Sequence, residues 1–194
     1  MGPTRPLVLI GPMASGKSAV GRMLAHRTGL RFIDSDREIV ERHGPVAAIF
    51  AERGEQAFRV LEADVIAAAL ENDDVVVALG GGAVLDAGTR DRLTRTTVVY
   101  LETDLATVRP RISGDTTRPL LAGNPGERWQ EIYDERRPLY EAVATEVIDT
   151  RDLSARAVVD AVLRAIRSAQ QPAGPPAGAT AAPTHERGER ENTP

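Results

Sequence analysis

Apolar residues gather in short runs that do not alternate with polar ones: Pro6-Leu7-Val8-Leu9-Ile10, Arg31-Phe32-Ile33-Asp34, Val75-Val76-Val77-Ala78-Leu79, Thr97-Val98-Val99-Tyr100-Leu101 and Glu146-Val147-Ile148-Asp149. Between them the apolar spacing becomes helical, most clearly from Glu55 to Leu70, where Phe58, Leu61, Val65, Ile66 and Leu70 share a face. The pattern predicts strands over the five runs and helices over 17–27, 36–43, 45–53, 55–70, 86–94, 104–111, 127–143 and 154–168. Continuous apolar strands separated by helices predict an α/β protein, with a parallel sheet covered on both faces. Ligands of such sheets sit at the carboxyl ends of the strands, so residues that directly follow a strand carry the functional interest.

The pattern stops near Gln171. Residues 171–194 contain no Val, Ile, Leu, Met or aromatic residue and five of the 13 prolines, a composition that cannot offset the entropy of ordering. The expectation is one folded domain over 1–170 and a disordered tail over 171–194. Composition narrows the function by exclusion. The net charge is −4 with both signs intermixed and no basic stripe, which disfavours nucleic acid. There is no cysteine, hence no disulfide framework or cysteine-based metal site. No apolar run approaches a membrane span, and the first glycine loop comes too early for a secretion signal. A cytoplasmic monomer is the expectation.

Directly after the first strand stands Gly11-Pro12-Met13-Ala14-Ser15-Gly16-Lys17-Ser18, the pattern G-x-x-x-x-G-K-S leading into a helix. Such a loop aims backbone N–H groups and a helix N-terminus at phosphate oxygens. Ala14, Ser15, Gly16, Lys17, Ser18 and Ala19 would cradle the phosphates of ATP, with Lys17 on the β and γ groups and Ser18 on Mg²⁺. Lys17 is the one lysine among 24 basic residues, placed where a compact ammonium suits better than a guanidinium fork. The loop alone leaves GTPase, ATPase and small-molecule kinase open.

The second strand ends in Asp34-Ser35-Asp36, whose carboxylates share a face in extended backbone; one can hold metal-bound water while the other meets a substrate hydroxyl. A helix N-cap also explains an aspartate there. Gly54-Glu55-Gln56-Ala57-Phe58-Arg59 sets an arginine on the first turns of a helix, and Gly80-Gly81-Gly82 closes the third strand. Three glycines in a row after a buried strand imply a close approach to the backbone.

Taken in order, GPMASGKS, FIDSD, GEQAFR, LGGGAV, RPLL (118–121) and RRPLY (136–140) resemble shikimate kinase over about residues 6–166. The resemblance implies the P-loop kinase fold of the nucleoside-monophosphate-kinase type, with five parallel strands. It implies transfer of the γ-phosphoryl group of ATP to the 3-hydroxyl of shikimate, giving ADP on the way to chorismate and the aromatic amino acids. Asp36 then matches the aspartate at the reacting hydroxyl, as positioner or base. Arg59 and Arg136 match the arginines on the carboxylate, and Gly81, flanked by Gly80 and Gly82, a backbone contact to the substrate. Asp34 matches the aspartate orienting Mg²⁺, Arg118 the arginine closing on the phosphates, and Arg111 an arginine near the adenine.

Residues 112–126 combine Gly114, Gly123 and Gly126 with Leu120-Leu121, which suits a mobile lid that excludes water from the transfer. His26 and His43 read as surface residues and Trp129 as packing. Arg137 competes with Arg136 for the carboxylate, and a break or bend near Pro138 would decide between them. A gluconate-type sugar-acid kinase and a nucleotide-binding module without transfer are the rival readings.

Overall fold

The computed structural model describes residues 5–113, 119–121 and 123–170. Five strands, β1 (Leu7–Ile10), β2 (Arg31–Asp34), β3 (Val75–Ala78), β4 (Thr97–Glu102) and β5 (Glu146–Asp149), pair in parallel in the order β2-β3-β1-β4-β5. Seven α-helices connect or follow them among the described residues: α1 (Lys17–Thr28), α2 (Ser35–His43), α3 (Val46–Leu70), α4 (Ala87–Leu93), α5 (Leu105–Ile112), α6 (Pro125–Val143) and α7 (Ala155–Gln170).

The lack of alternation in β1, β3 and β4 has a direct cause: side chains on both faces are buried, whereas the edge strands β2 and β5 are only partly covered. Val8, Ile10, Val75, Val77, Val98 and Tyr100 pack on one side against α3, α4, α5 and α6. Leu7, Leu9, Val76, Val99 and Leu101 pack on the other against Val20 and Leu24 of α1 and Val158, Val159 and Val162 of α7. Each such side chain contributes about 1.5–3 kcal/mol when fully buried. A third cluster, Ile39, Ile49, Phe58 and Val65, joins α2 to α3.

Register brings the functional loops together. Leu9 of β1 and Asp34 of β2 both pair with Ala78 of β3. Loop 11–16, the Asp34-Ser35-Asp36 corner and Gly80-Gly81-Gly82 therefore leave the sheet at one level, side by side.

The expected break between 45–53 and 55–70 is real but local. Gly54 has φ 79° and ψ 168° inside α3, a left-handed φ that favours glycine. The helix does not break at Pro138, because α6 runs through it as one element. Trp129, Tyr133 and Tyr140 are buried on either side of it, and this packing outweighs the roughly 3 kcal/mol cost of an interior proline. Residues 114–118 and 122 of the expected lid, Arg118 included, and the tail 171–194 lie outside the described residues. No helix among the described residues is long and apolar enough to cross a membrane.

Candidate active site

Loop 11–16 takes its shape from backbone positions that demand small residues. Gly11 has φ 141°, and a Cβ there would come within 2.7 Å of the Leu101 carbonyl oxygen. Gly16, φ 95°, precedes α1, and no side chain caps that helix, which leaves its first N–H groups directed at the loop. Ala14 has φ 64°, a left-handed conformation that costs a non-glycine residue about 1–2 kcal/mol. Its carbonyl accepts a hydrogen bond of 2.8 Å from Arg111 Nη1. Lys17 is buried, and its ammonium donates to the carbonyls of Gly11 (2.9 Å) and Pro12 (2.7 Å), so it is held across the loop.

A cavity of about 330 Å³ opens here, lined by Gly16, Lys17, Ser18, Asp34, Asp36 and Arg111 among others. Ala14 and Ala19 also border it. Ser15 instead lines a neighbouring cavity of about 310 Å³ together with Gly16, Ala19, Arg111, Thr150 and Leu153. The Ser18 hydroxyl and the Asp34 carboxylate are hard oxygen donors bordering this cavity, a set that fits a magnesium ion. Among the described residues no group of three His, Cys, Asp or Glu side chains could hold a metal; an ion here would take its other ligands from phosphate and water, as Mg²⁺ does in phosphoryl-transfer sites. Asp34 also caps α2 by accepting from the Arg37 N–H at 3.3 Å, so the helix-cap reading of this aspartate holds. Because α2 already starts at Ser35, Asp36 lies in the first helical turn, and the two carboxylates do not share the expected face of extended backbone.

A second cavity, about 250 Å³, adjoins the first. Asp36, Arg59, Glu62, Gly81, Gly82 and Arg136 supply its polar groups and backbone, and Val46, Phe50, Phe58 and Leu120 supply apolar wall. Asp36, Met13 and Gly81 border both cavities. Arg59 Nε and Arg136 Nε are buried without a hydrogen-bond partner. Both arginines line this cavity, and two guanidinium groups of this kind can hold a small anion.

Two positions of the triple glycine have a clear steric reason, and at Gly81 a Cβ would come within 3.3 Å of the Met13 nitrogen. A Cβ on Gly80 would overlap the carboxylates of Asp36 and Glu62, and one on Gly82 would overlap the Arg59 guanidinium. The Gly81 carbonyl accepts from Arg136 Nη1 at 3.3 Å and from the Tyr140 hydroxyl. Gly80 does not line the cavity; its N–H donates to Ser35 Oγ at 2.9 Å. Arg136 is 5% exposed, whereas Arg137 points outward and pairs with Glu141 and Glu102, which settles which of the two faces inward.

The family model for shikimate kinase matches residues 13–167. The chain belongs to the shikimate kinase family. A shikimate kinase of Streptomyces coelicolor is 45% identical, with 82% of this chain and 94% of that protein covered. One of Thermobifida fusca is 48% identical over 77% of this chain and 88% of that protein. The solved structure of shikimate kinase from Acinetobacter baumannii in complex with shikimate is 37% identical with TM-score 0.83, covering 86% of this chain and 95% of that one.

Some residues of this shikimate kinase site escape the sequence reading. Glu62 is 3% exposed, and its carboxylate lies 2.6 Å from Arg59 Nη1. Glu55 takes the other side of the guanidinium at 2.9 Å. Burial pushes the Glu62 pKa up, and the nearby Arg59 only partly counters it. Burial works against the Arg59 cation, but Glu62 and Glu55 outweigh it and its pKa is raised. The spacing of Glu55, Arg59 and Glu62 along one helix face is the signal that could have revealed this clamp. Tyr140 belongs to the RRPLY motif, but its spacing carries no sign of a role. Burial raises its pKa, which keeps the hydroxyl a donor to Gly81.

Proposed function

We propose that the two adjoining cavities are the donor and acceptor halves of one phosphoryl transfer, with ATP on loop 11–16 and shikimate beside Asp36. The activity of this family, transfer of the γ-phosphoryl group of ATP to the 3-hydroxyl of shikimate, is the activity of this chain. The observation that carries the division of labour is that Asp36 borders both cavities. It accepts a hydrogen bond from the substrate hydroxyl and aims the oxygen lone pair at the γ-phosphorus. The new O–P bond forms as the bond to the β-phosphate oxygen breaks and ADP leaves, and the hydroxyl proton passes to the Asp36 carboxylate it was bonded to and from there to solvent. Such a loose transition state asks mainly for alignment and positive charge and little of a base.

Arg59 and Arg136 take the shikimate carboxylate through charge-assisted hydrogen bonds, a reading supported by their lining one cavity with Asp36. Phe50, Phe58 and Val46 cover the ring. Lys17 moves its ammonium from loop carbonyls to the phosphates, and Arg118 adds a second cation. Ser18 would hold Mg²⁺ and Asp34 would orient its water; when bound, the ion would supply charge neutralisation for the group being transferred. We place the reaction in the cytoplasm on a single chain, with no role for nucleic acid or membrane; the net charge of −4 supports leaving nucleic acid aside.

The test is ADP release by the purified full chain with ATP and Mg²⁺, using shikimate, quinate and gluconate in turn. Release on adding shikimate alone is expected. Release that ignores shikimate, or is as fast with gluconate, would overturn the acceptor assignment.

A further inference from the structure

Trp129, Tyr133, Arg136 and Tyr140 are all buried on α6, at the spacing of one helix face. The two ends of this stripe hold different loops. The Trp129 indole N–H donates to the Met13 carbonyl at 3.0 Å. Tyr140 and Arg136 donate to the Gly81 carbonyl. Those loops also touch, since a Cβ on Gly81 would come within 3.3 Å of the Met13 nitrogen. Met13 borders both cavities. At the next residue Arg111, from α5, holds the carbonyl of Ala14, whose left-handed backbone persists only while its surroundings hold it.

We propose that Trp129 is a positioning residue for the transfer: through its hydrogen bond to Met13 it fixes the phosphate loop against the triple glycine, so that α6 sets the spacing between donor and acceptor. The inference rests on the assignment of the two cavities given above. Its physical basis is that a rigid helix holds two loops at a constant separation, and transfer rate falls steeply when reacting atoms are misplaced. The indole ring stacks on Tyr133, with centroids 5.0 Å apart, so the ring packs while the N–H serves the loop.

Trp129 is the only tryptophan, which allows a clean test. Replacing tryptophan throughout the full chain by benzothienylalanine keeps the bicyclic shape and exchanges N–H for sulfur; W129F is the second variant. Both are assayed for ADP release at varied ATP and for shikimate affinity without nucleotide. Expected is a fall in kcat/KM for ATP of about tenfold, the size of one buried hydrogen bond, with shikimate affinity unchanged because Asp36, Arg59 and Arg136 keep their places. Unchanged kcat/KM in the benzothienyl protein would overturn the proposal. So would a parallel loss of shikimate affinity, which would make Trp129 a general prop of the fold. Failure of the acceptor assignment would show separately, in unmodified protein whose ADP release ignores shikimate, and would take this inference with it.

Discussion

The Arg59 guanidinium lies 2.6 Å from the Glu62 carboxylate, one turn further along α3 and almost out of contact with water. This pair holds the cation beside Gly82 in the acceptor cavity. It also places an acid where ionisation is costly, with Asp36 adding repulsion and Arg59 and Arg136 adding attraction.

The pH dependence of stability follows. Burial raises the folded-state pKa of Glu62 above its ordinary value of 4.5. Between those two values the native state binds the proton that the unfolded state releases, so this group's contribution to stability falls as pH rises. The amide introduced by Glu62→Gln does not titrate. The urea midpoint of E62Q relative to the native protein should therefore climb as pH rises above 4.5 and level off once Glu62 is ionised in both states. A difference independent of pH would contradict the raised pKa.

Gly82→Ala separates fold from binding. Gly82 has φ −96°, so alanine fits the backbone, but its Cβ would displace the flexible end of Arg59. The expected outcome is a protein of nearly native melting temperature whose KM for shikimate rises about tenfold or more, the loss of one charge-assisted hydrogen bond. Steady-state kinetics and a thermal scan on the same sample check it.

Lys17→Ala should reduce kcat by about 10²–10³-fold, the usual effect of removing one donor from a developing anion. Because Lys17 also ties the Gly11 and Pro12 carbonyls, stability should fall by about 1–2 kcal/mol without loss of fold. Circular dichroism with a coupled ADP assay reads both. Undiminished turnover would remove Lys17 from the phosphate site.

Arg136→Ala and Arg137→Ala are neighbours with opposite expectations. The first should raise the KM for shikimate about tenfold or more while KM for ATP changes little, since Arg136 lines the acceptor cavity and not the one around Lys17. The second should be close to neutral, because an exposed ion pair contributes only about 0–1 kcal/mol and Arg137 forms such pairs with Glu102 and Glu141. Equal losses in both variants would contradict the burial difference.

The architecture and the phosphate loop are legible without coordinates because their determinants are local. A strand buried on both faces has to be apolar at every position, and a loop that wraps phosphate favours glycine where φ is positive, as at Gly11 and Gly16, with Ala14 the strained exception. Asp36 and Arg59 stand out through short motifs that follow or open an element, whereas Arg136 enters only through the resemblance to the family, with Arg137 as its competitor. The chain alone thus determined the parallel α/β layout, the nucleotide loop and the identities of the charged groups. Tertiary structure decided which arginine of the Arg136-Arg137 pair faces inward, because packing of α6 carries that helix through Pro138 without a break. It also decided that Glu62 shares the cavity with Arg59, that Gly80 spaces two carboxylates instead of lining the site, and that Trp129 reaches Met13 across 116 residues of chain. These relations depend on the register of β1, β2 and β3 and on the direction of one helix face, quantities that arise only when distant segments pack.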